Sequence, residues 1–366
     1  MMWRGWPSFW PDPQRITSPA RLSWWTAGIC CPKGSRHALE IIPGIYQLKL
    51  PLKDNPLGYV NTYLLKGTHG WTLIDAGWND AESFEALREH LTRLGLAIDD
   101  IEQILVTHIH PDHFGMAGRI KELSGATLAL HEIEKAFIDA RHEWGGSMAE
   151  RMNAWLRLNG VPEEYLTAFN EASADTMSHV VASVPDRGLR HGEIISTGIF
   201  ELEVFWTPGH SPGHVCLYER EHKILFTGDH VLPVTTPNIS IHIESDWDPL
   251  GAYLKSLRDI EGLEVTLNLP AHEEIFENLG ERIAQLFTHH DHRKREIIET
   301  ISEQARTAFD ISSRITWMEG QMQWETMLPL DRRIAVTEAL AHLEALRAEG
   351  RVKRFVEEGI SYYRAA

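Results

Sequence analysis

The sequence predicts an α+β protein in which two β-sheets pack face to face and helices cover both outer surfaces. The first observation is a series of short β-branched or aliphatic runs, bounded by Gly, Pro or Asp, that recurs between residues 41 and 269 and is typical of strands. The second is that amphipathic helical runs lie between and after these strands. The third is a hydrophobic content of 43% in 366 residues, which is enough for a sizeable core. Strands and helices mixed in this way pack as layers.

The predicted strands cover most of the chain up to residue 269. A helix is predicted between the third and fourth of them, at 81–94, because Phe84, Leu87 and Leu91 fall on one face. The strands are expected at 45–50, 59–66, 71–74, 101–107, 126–130, 200–206, 215–218, 223–226 and 265–269.

Residues 132–185 have a different pattern from the strands around them. Two long helical runs, at 148–158 and 163–172, occur where a compact domain needs only a short link. We therefore expect a helical insertion within a domain that spans residues 39–288.

The chain after residue 288 is predicted to form a second module. Helical periodicity occurs at 294–308 and at 332–349, and two short strands flank the turn at Glu357 to Gly359. Helices followed by a β-hairpin are typical of a winged helix, so we expect a winged-helix module over residues 289–366.

The N-terminal segment, residues 1–38, is rich in Trp and Pro and has no helical or strand period. We expect an N-terminal extension that is either disordered or lies as an extended arm on a neighbouring surface. The sequence contains no apolar run of membrane-spanning length and no clean secretory signal, so we expect a cytoplasmic protein without a membrane partner.

The charge distribution and the spacing of the cysteines restrict the partners and metal ligands that the protein can have. Residues 40–288 contain 18 basic and 38 acidic side chains. Residues 1–39 contain 5 basic and 1 acidic, and residues 289–366 contain 12 basic and 13 acidic. The net charge of −17 therefore comes from the central part. Such an acidic body repels polyanions, and nucleic acid is not the default partner. The three cysteines have no thiolate ligand spacing, so nitrogen and oxygen atoms must hold any metal.

Four potential metal ligands occur within six residues of the segment 105–113. A predicted strand leads directly into His108 and His110, which strand alternation would place on one side. Pro111 ends the strand, and the following turn can bring Asp112 and His113 toward a second point nearby. The pattern is typical of two adjacent metal ions. A run of surface polar residues in a turn is the alternative interpretation.

Three further candidate ligands follow later predicted strands. His210 comes after Thr-Pro-Gly, Asp229 after Thr-Gly, and His272 after Pro-Ala. Each of these segments taken alone is better explained by a turn or a helix cap than by a metal site. Their succession after the first cluster favours a metal site.

Here the sequence strongly resembles the metallo-β-lactamase superfamily, over roughly residues 41 to 285. The family signature is an Asp after a strand, then His-x-His-x-Asp-His, His, Asp and His. The resemblance implies an αββα sandwich, and its glyoxalase-type segments imply a general hydrolase rather than an antibiotic-degrading β-lactamase. The elements match at Asp75, at 108–113, at His210, at Asp229 and at His272.

The resemblance also implies how the ligands are shared. His108, His110 and His210 would bind one metal ion, Asp112, His113 and His272 the other, and Asp229 would bridge both. Asp75 would orient the ligand loop without binding metal. The implied cofactor is a pair of divalent ions, with Zn²⁺ best suited to the ligands and manganese or iron also compatible.

Several other residues are expected to support the site. The resemblance implies that a metal-bound hydroxide attacks the substrate, with Asp112 as the catalytic carboxylate that accepts a hydrogen bond from it. His214 is interpreted either as a supporting histidine or as a buried structural one, and His230 as a residue that supports a ligand or contacts the substrate. Trp155 is expected to line an apolar pocket formed by the insertion, together with Trp144, Met152 and Leu156. His289, His290 and His292 are interpreted as a solvated helix start without a metal role.

The favoured function is hydrolysis of a small thioester, ester or lactone. The C-terminal pattern resembles β-lactamase-like proteins with a winged-helix tail, some of which are endoribonucleases, so an endoribonuclease or phosphodiesterase is the alternative. A mononuclear-iron persulfide dioxygenase is disfavoured because no Gly-Arg-Thr-Asp follows Asp229. A non-enzymatic DNA-binding regulator is a further alternative, and a homodimer is left open.

Overall fold

The computed structural model describes residues 38–53, 55–135, 138, 147–241, 243, 247–317 and 322–366. The expectations for residues 1–37 and for Trp144 lie outside these residues. Among the described helices, none is long and apolar enough to cross a membrane.

Within the described residues, the first sheet has seven strands in the order in which they occur along the chain. Strands β1 to β4 pair antiparallel, and β4 to β7 pair parallel. The parallel strands bring their carboxyl ends to one edge of the sheet. The seven strands are β1 (Leu39–Ile42), β2 (Ile45–Pro51), β3 (Tyr59–Lys66), β4 (Trp71–Ile74), β5 (Ile101–Leu105), β6 (Thr127–His131) and β7 (Arg187–Leu189).

The second sheet has five strands in the order β12-β11-β10-β9-β8. The pairs are antiparallel except that β11 and β12 are parallel. The five strands are β8 (Ile194–Ser196), β9 (Glu201–Trp206), β10 (Val215–Glu219), β11 (Ile224–Gly228) and β12 (Leu267–Pro270). Two further strands, β13 (Val352–Glu357) and β14 (Ile360–Ala365), form a separate hairpin.

The named helices lie on the outer faces of the sheets and in the C-terminal part. They are α1 (Ala81–Arg93), α2 (Pro111–Phe114), α3 (Ala117–Ser124), α4 (Ser147–Leu158), α5 (Glu163–Ser178), α6 (Pro249–Glu261), α7 (Leu279–Thr300), α8 (Ala308–Ser312) and α9 (Pro329–Ala348).

Three apolar clusters show that the predicted helix, sheet, sheet, helix layering is present. One lies between the two sheets and includes Leu105 and Phe226. A second packs α1 and α3 against the first sheet, with Leu87 in its centre. The third packs α6 and α7 against the second sheet, around Tyr253 and Ile283. A protein with these three interfaces has four layers.

A fourth apolar cluster joins the insertion to the C-terminal part. Met152 and Leu156 of α4 are buried there together with Ile311 and Leu343. The two residues therefore belong to a core, and the expectation that they line an open pocket is wrong. Trp155 is half-buried at the edge of the same cluster.

Several elements differ from the sequence prediction. Strand β5 ends at Leu105 and not at residue 107. The helix predicted at 294–308 is α7, which begins at Leu279 and ends at Thr300, so the domain boundary expected after residue 288 lies inside a continuous helix. Helix α6 was not predicted, although Asp248 and Pro249 at its start are a common helix-start pair.

The C-terminal hairpin shows a one-residue error in the predicted burial. A winged helix used for packing is predicted to bury Val336, Leu340, Leu343, Phe355 and Tyr362. The first three, on α9, are buried, but Phe355 is 37% exposed and its strand partner Tyr362 is half-exposed. Because side chains alternate along a strand, the inward residue is the next one, Tyr363, which is fully buried. The winged-helix assignment itself stays a prediction.

Candidate metal centre

The ligand segment after β5 is a loop that runs into a short helix. His108 lies in the loop, and His110 is the N-cap of α2, with Pro111 as its first residue. The two imidazoles converge, since His108 Nε2 lies 2.8 Å from His110 Nδ1. Their convergence is therefore due to the helix start and not to strand alternation, which was the expected reason.

His210 joins these two residues from the loop after β9. Its Nε2 lies 3.2 Å from His108 Nε2 and 2.9 Å from His110 Nδ1. The preceding Gly209 has φ of 143°, and a Cβ there would lie 2.3 Å from the Cβ of Tyr253 on α6. Only glycine fits this close approach, which directs His210 into the centre. These three histidines could hold one metal ion, and we call them the first ligand group.

Asp112, His113 and His272 form the second ligand group. Asp112 Oδ2 lies 3.2 Å from His272 Nε2 and 3.6 Å from His113 Nε2. Asp112 and His113 come from α2, whereas His272 follows the end of β12. The group thus brings the ends of both sheets together.

Asp229 lies between the two groups. Its Oδ2 is 3.4 Å from His210 Nε2 of the first group and 3.5 Å from His113 Nε2 of the second. Its Oδ1 is 3.4 Å from His272 Nε2. One carboxylate therefore reaches both groups, as expected for a bridging ligand.

Polar atoms in the centre lack hydrogen-bond partners within the described residues. They are His113 Nε2, His272 Nε2 and Asp229 Oδ1, all of them buried. Leaving such atoms unsatisfied is costly, and all three point into the same small volume. Nitrogen and oxygen donors without thiolate fit two divalent cations at this position.

Asp75 orients His113 of the second group. It follows β4 with φ of 60° and is buried. Its carboxylate accepts a 2.8 Å hydrogen bond from His113 Nδ1, and the amide and hydroxyl of Thr107 also donate to it. The ring of His113 is therefore fixed with Nε2 toward the centre, and Asp75 does not itself reach the other ligands.

Two further imidazoles, those of His272 and His210, are oriented by hydrogen bonds from Nδ1. His272 Nδ1 donates to the carbonyl oxygen of Tyr59 at 3.1 Å, and His210 Nδ1 donates to the carbonyl oxygen of Asn238 at 2.7 Å. Each contact fixes the tautomer and leaves Nε2 available for a metal.

The charges within the centre stabilise the ionised carboxylates. Burial alone would raise the pKa of Asp229, but the imidazoles of His272 and His113 hold it well below its ordinary value. Burial would lower the pKa of His113, but the carboxylates of Asp229, Asp112 and Asp75 hold it well above the ordinary value. Positive charge is therefore favoured at this position.

His214 supports the bridging residue. Its Nε2 accepts a 3.1 Å hydrogen bond from the backbone N–H of Asp229, and its Nδ1 lies 2.8 Å from the hydroxyl of Thr207. A Cβ on Gly228 would lie 2.6 Å from the same Nε2. His214 is thus buried and contacts the backbone of Asp229, and its supporting role stays a prediction.

His230 lies in the core under α6, and its side chain is fully buried. Its ring packs against Tyr253, with ring centroids 5.0 Å apart, and Nε2 lies 3.3 Å from Ser256 Oγ. This position contradicts a direct substrate contact and favours the supporting role.

The histidines at 289, 290 and 292 are not a solvated helix start, because they lie in the middle of α7. His290 is buried, and its Nδ1 lies 3.0 Å from Nε2 of His342 on α9. His292 is the exposed one of the three. The expectation was wrong because the beginning of α7 was placed too late.

Sequence reasoning also missed Glu134. Its Oε1 accepts hydrogen bonds from Ser211 Oγ at 2.5 Å and from the N–H of Gly213 at 2.7 Å, so it fixes the loop that carries His210 and His214. Its only sequence signal is an acidic residue shortly after a predicted strand.

Comparison with known proteins identifies the family. The pattern of the metallo-beta-lactamase superfamily matches residues 55–272, which is more than half of the chain. The chain therefore belongs to the metallo-beta-lactamase superfamily and is a hydrolase of that superfamily.

Similar proteins span most of the chain. "Probable metallo-hydrolase YqjP" of Bacillus subtilis is 27% identical over 84% of this chain and 94% of that protein. "Lactamase-like protein nscB" of Arthroderma otae is 29% identical, over 67% of this chain and 62% of that protein. A metallo-beta-lactamase family protein from Thermus thermophilus has a solved structure that is 31% identical, with a TM-score of 0.74 over 89% of this chain and 99% of that one. A beta-lactamase domain protein from Burkholderia ambifaria is 28% identical, with a TM-score of 0.73 over 90% and 95%.

Proposed function

We propose that this protein is a dinuclear metal-dependent hydrolase that acts on a small thioester, ester or lactone. The observation that carries the proposal is the position of Asp229, whose two carboxylate oxygens lie within 3.5 Å of imidazole nitrogens from both ligand groups. A carboxylate shared in this way is suited to bridging two cations.

Two divalent cations, best matched by Zn²⁺, would supply a Lewis acid and lower the pKa of water toward neutrality. The protein contributes the orientation of the reacting groups. The side chain of Asp112 is 17% exposed, against 11% for Asp229. Its carboxylate is therefore the more accessible of the two, and it is suited to hold the proton of the attacking water at Oδ1 or Oδ2.

Two observations support a small substrate over a polyanion. Residues 40–288, which contain the whole ligand set, carry 38 acidic against 18 basic side chains. In addition, α9, the helix that would enter a nucleic-acid groove in a winged helix, is buried at every position from 335 to 346 except Glu344. A helix buried in this way cannot present its side chains to bases.

A substrate panel with matched variants tests the proposal. We expect turnover of a thioester, ester or lactone, and we expect Asp112→Ala to reduce kcat by at least about 100-fold, the scale of losing one general acid or base. His292→Ala, an exposed histidine far along α7, is the control and should behave as wild type. Equal turnover by Asp112→Ala and wild type would overturn the catalytic role of the carboxylate.

An endoribonuclease or phosphodiesterase is the second candidate, and the surface of the hairpin favours it. Arg351, Lys353 and Arg354 are exposed there, and Phe355 stacks on Tyr362 beside them at a centroid distance of 5.8 Å. Basic and aromatic side chains together are typical of surfaces that bind single-stranded nucleic acid. Arg351, however, also pairs with Glu349.

Electrophoretic shift with RNA and duplex DNA near physiological salt separates the two candidates. The small-substrate proposal predicts no tight complex. Tight binding that weakens steeply with added salt and is lost on replacing both Lys353 and Arg354 by Ala would favour the ribonuclease instead.

A further inference from the structure

The segment between β11 and α6 supplies the contact that orients His210. The carbonyl oxygen of Asn238 accepts the 2.7 Å hydrogen bond from His210 Nδ1. This contact comes from the backbone, so its strength depends on where the segment is held. The residues that hold the segment therefore bear on the metal centre.

The first part of this segment is held by the hydrolase layers. The Glu273 carboxylate accepts hydrogen bonds from the N–H groups of Val234 and Thr235, at 2.8 and 3.0 Å. Arg282 of α7 donates to the carbonyl oxygens of Val234 and Thr235. These contacts end three residues before Asn238.

The part that contains Asn238 is held by helix α9. Ser240 Oγ donates to Asn238 Oδ1 at 2.8 Å and lies 2.8 Å from Thr337 Oγ1. The N–H of Ile241 donates to the carbonyl oxygen of Thr337 at 3.3 Å. Ser240 and Thr337 are both buried, so water competes little for these bonds.

The Thr337 hydroxyl has one proton and more than one place to donate it, since it lies 2.9 Å from the carbonyl oxygen of Ile334 in its own helix and 2.8 Å from Ser240 Oγ. When it donates to Ser240 Oγ, the Ser240 hydroxyl donates to Asn238 Oδ1, and each hydroxyl uses its one proton. The path from α9 to His210 therefore contains Thr337, Ser240 and Asn238, with no gap longer than 2.8 Å up to Asn238.

We propose that Thr337 is a positioning residue for the metal centre, acting through Ser240 and Asn238 on His210. Helix α9 of the C-terminal part then supports the first ligand group and is not only a packing element. This inference rests on the proposed function, because it assumes that His210 binds a metal ion. Contacts of this kind that orient a ligand commonly change metal affinity by about 10- to 100-fold.

The test compares Thr337→Val with Thr337→Ser. Val keeps the shape and removes the hydroxyl, whereas Ser keeps the hydroxyl. Competition with a chromophoric chelator measures the affinity for each of two Co²⁺ or Zn²⁺ ions. In Thr337→Val we expect the affinity for one of the two ions to fall about 10-fold or more. In Thr337→Ser we expect near wild-type affinity. The visible spectrum of the Co²⁺ protein should change in the Val variant alone.

Two further variants separate this effect from loss of folding. Ser240→Ala breaks the same path from the other side and should reproduce the loss, and Thr326→Val, at an exposed threonine, should not. Thermal unfolding of each metal-free variant shows whether the fold is kept. Wild-type metal affinity in both Thr337→Val and Ser240→Ala would overturn this inference and leave the proposed function standing. The same would follow if Thr337→Ser lost as much metal affinity as Thr337→Val. A wild type that binds no divalent ion would overturn the proposed function and this inference with it.

Discussion

Asp75 shows how a single residue outside the ligand set holds several residues within it. Its carboxylate contacts His113 directly and reaches His108 through Thr107, whose Oγ1 lies 3.1 Å from His108 Nδ1. Both ligand groups therefore depend on one buried carboxylate.

Replacing Asp75 by Asn should weaken metal binding without removing a ligand. The amide keeps the size of the side chain but loses the charge that favours the orientation of His113, so we expect about 10- to 100-fold lower affinity in a chelator competition. Asp99→Asn, at an exposed position, is the matched control. Unchanged affinity in Asp75→Asn would show that the contact does not orient the ligand.

Glu338 predicts a pH dependence of stability. Burial raises its pKa to about 7, although Arg293 opposes the shift. The unfolded state, with an ordinary pKa of 4.5, loses the proton first as pH rises, so stability decreases between pH 4.5 and 7 and stays lower above it. The substitution Glu338→Gln removes the group that becomes charged. The change that it causes in the free energy of unfolding should therefore be more stabilising at pH 8 than at pH 5, by roughly 2 kcal/mol.

Denaturant unfolding at the two pH values measures this effect. Glu325→Gln, on the exposed surface before α9, is the control and should change neither value. If Glu338→Gln gave the same change in the free energy of unfolding at pH 5 and pH 8, the carboxyl group would not be buried in the way described.

The sequence predicted the candidate ligands but not all of their supports. His210, Asp229 and His272 were predicted because each directly follows a strand end, where parallel and neighbouring strands bring side chains together. The carbonyl oxygens of Tyr59 and Asn238 were missed because every residue has one, so their role depends on the folded path and not on residue type.

At the scale of elements, prediction succeeded where a run was long and periodic. Strand β3 and helix α1 lie within one residue of their predicted bounds. Strands β7 and β8 were missed because three residues are too few to show alternation.

Helix α9 is the element whose role differs most from what its position in a winged helix would indicate. Leu343 is fully buried in the cluster that also contains residues of the insertion. We expect Leu343→Ala to lower the free energy of unfolding by about 2 to 5 kcal/mol, as for a large buried side chain. Denaturant unfolding measures it, with Leu328→Ala at a 58% exposed position as control. A cost below about 1 kcal/mol would contradict the packing role of α9.

At the scale of the whole molecule, the insertion, the second sheet with α7 and the C-terminal helices are far apart in sequence but pack together. The insertion and the C-terminal helices share one apolar cluster, and α7 runs without interruption from the second sheet into that cluster. Ile241, which lies in the segment that orients His210, also packs at the edge of this cluster. The sequence predicted the insertion and the C-terminal module as separate units, since a pattern along the chain carries no information on which units pack together.

The metal content of the purified protein tests the central claim most directly. Elemental analysis should find close to two divalent ions per chain in the wild type, and Asp229→Ala should lose at least one of them because one carboxylate reaches both groups. A wild type with a single iron ion per chain that consumes oxygen in the presence of a persulfide would contradict the dinuclear hydrolase and identify a dioxygenase instead.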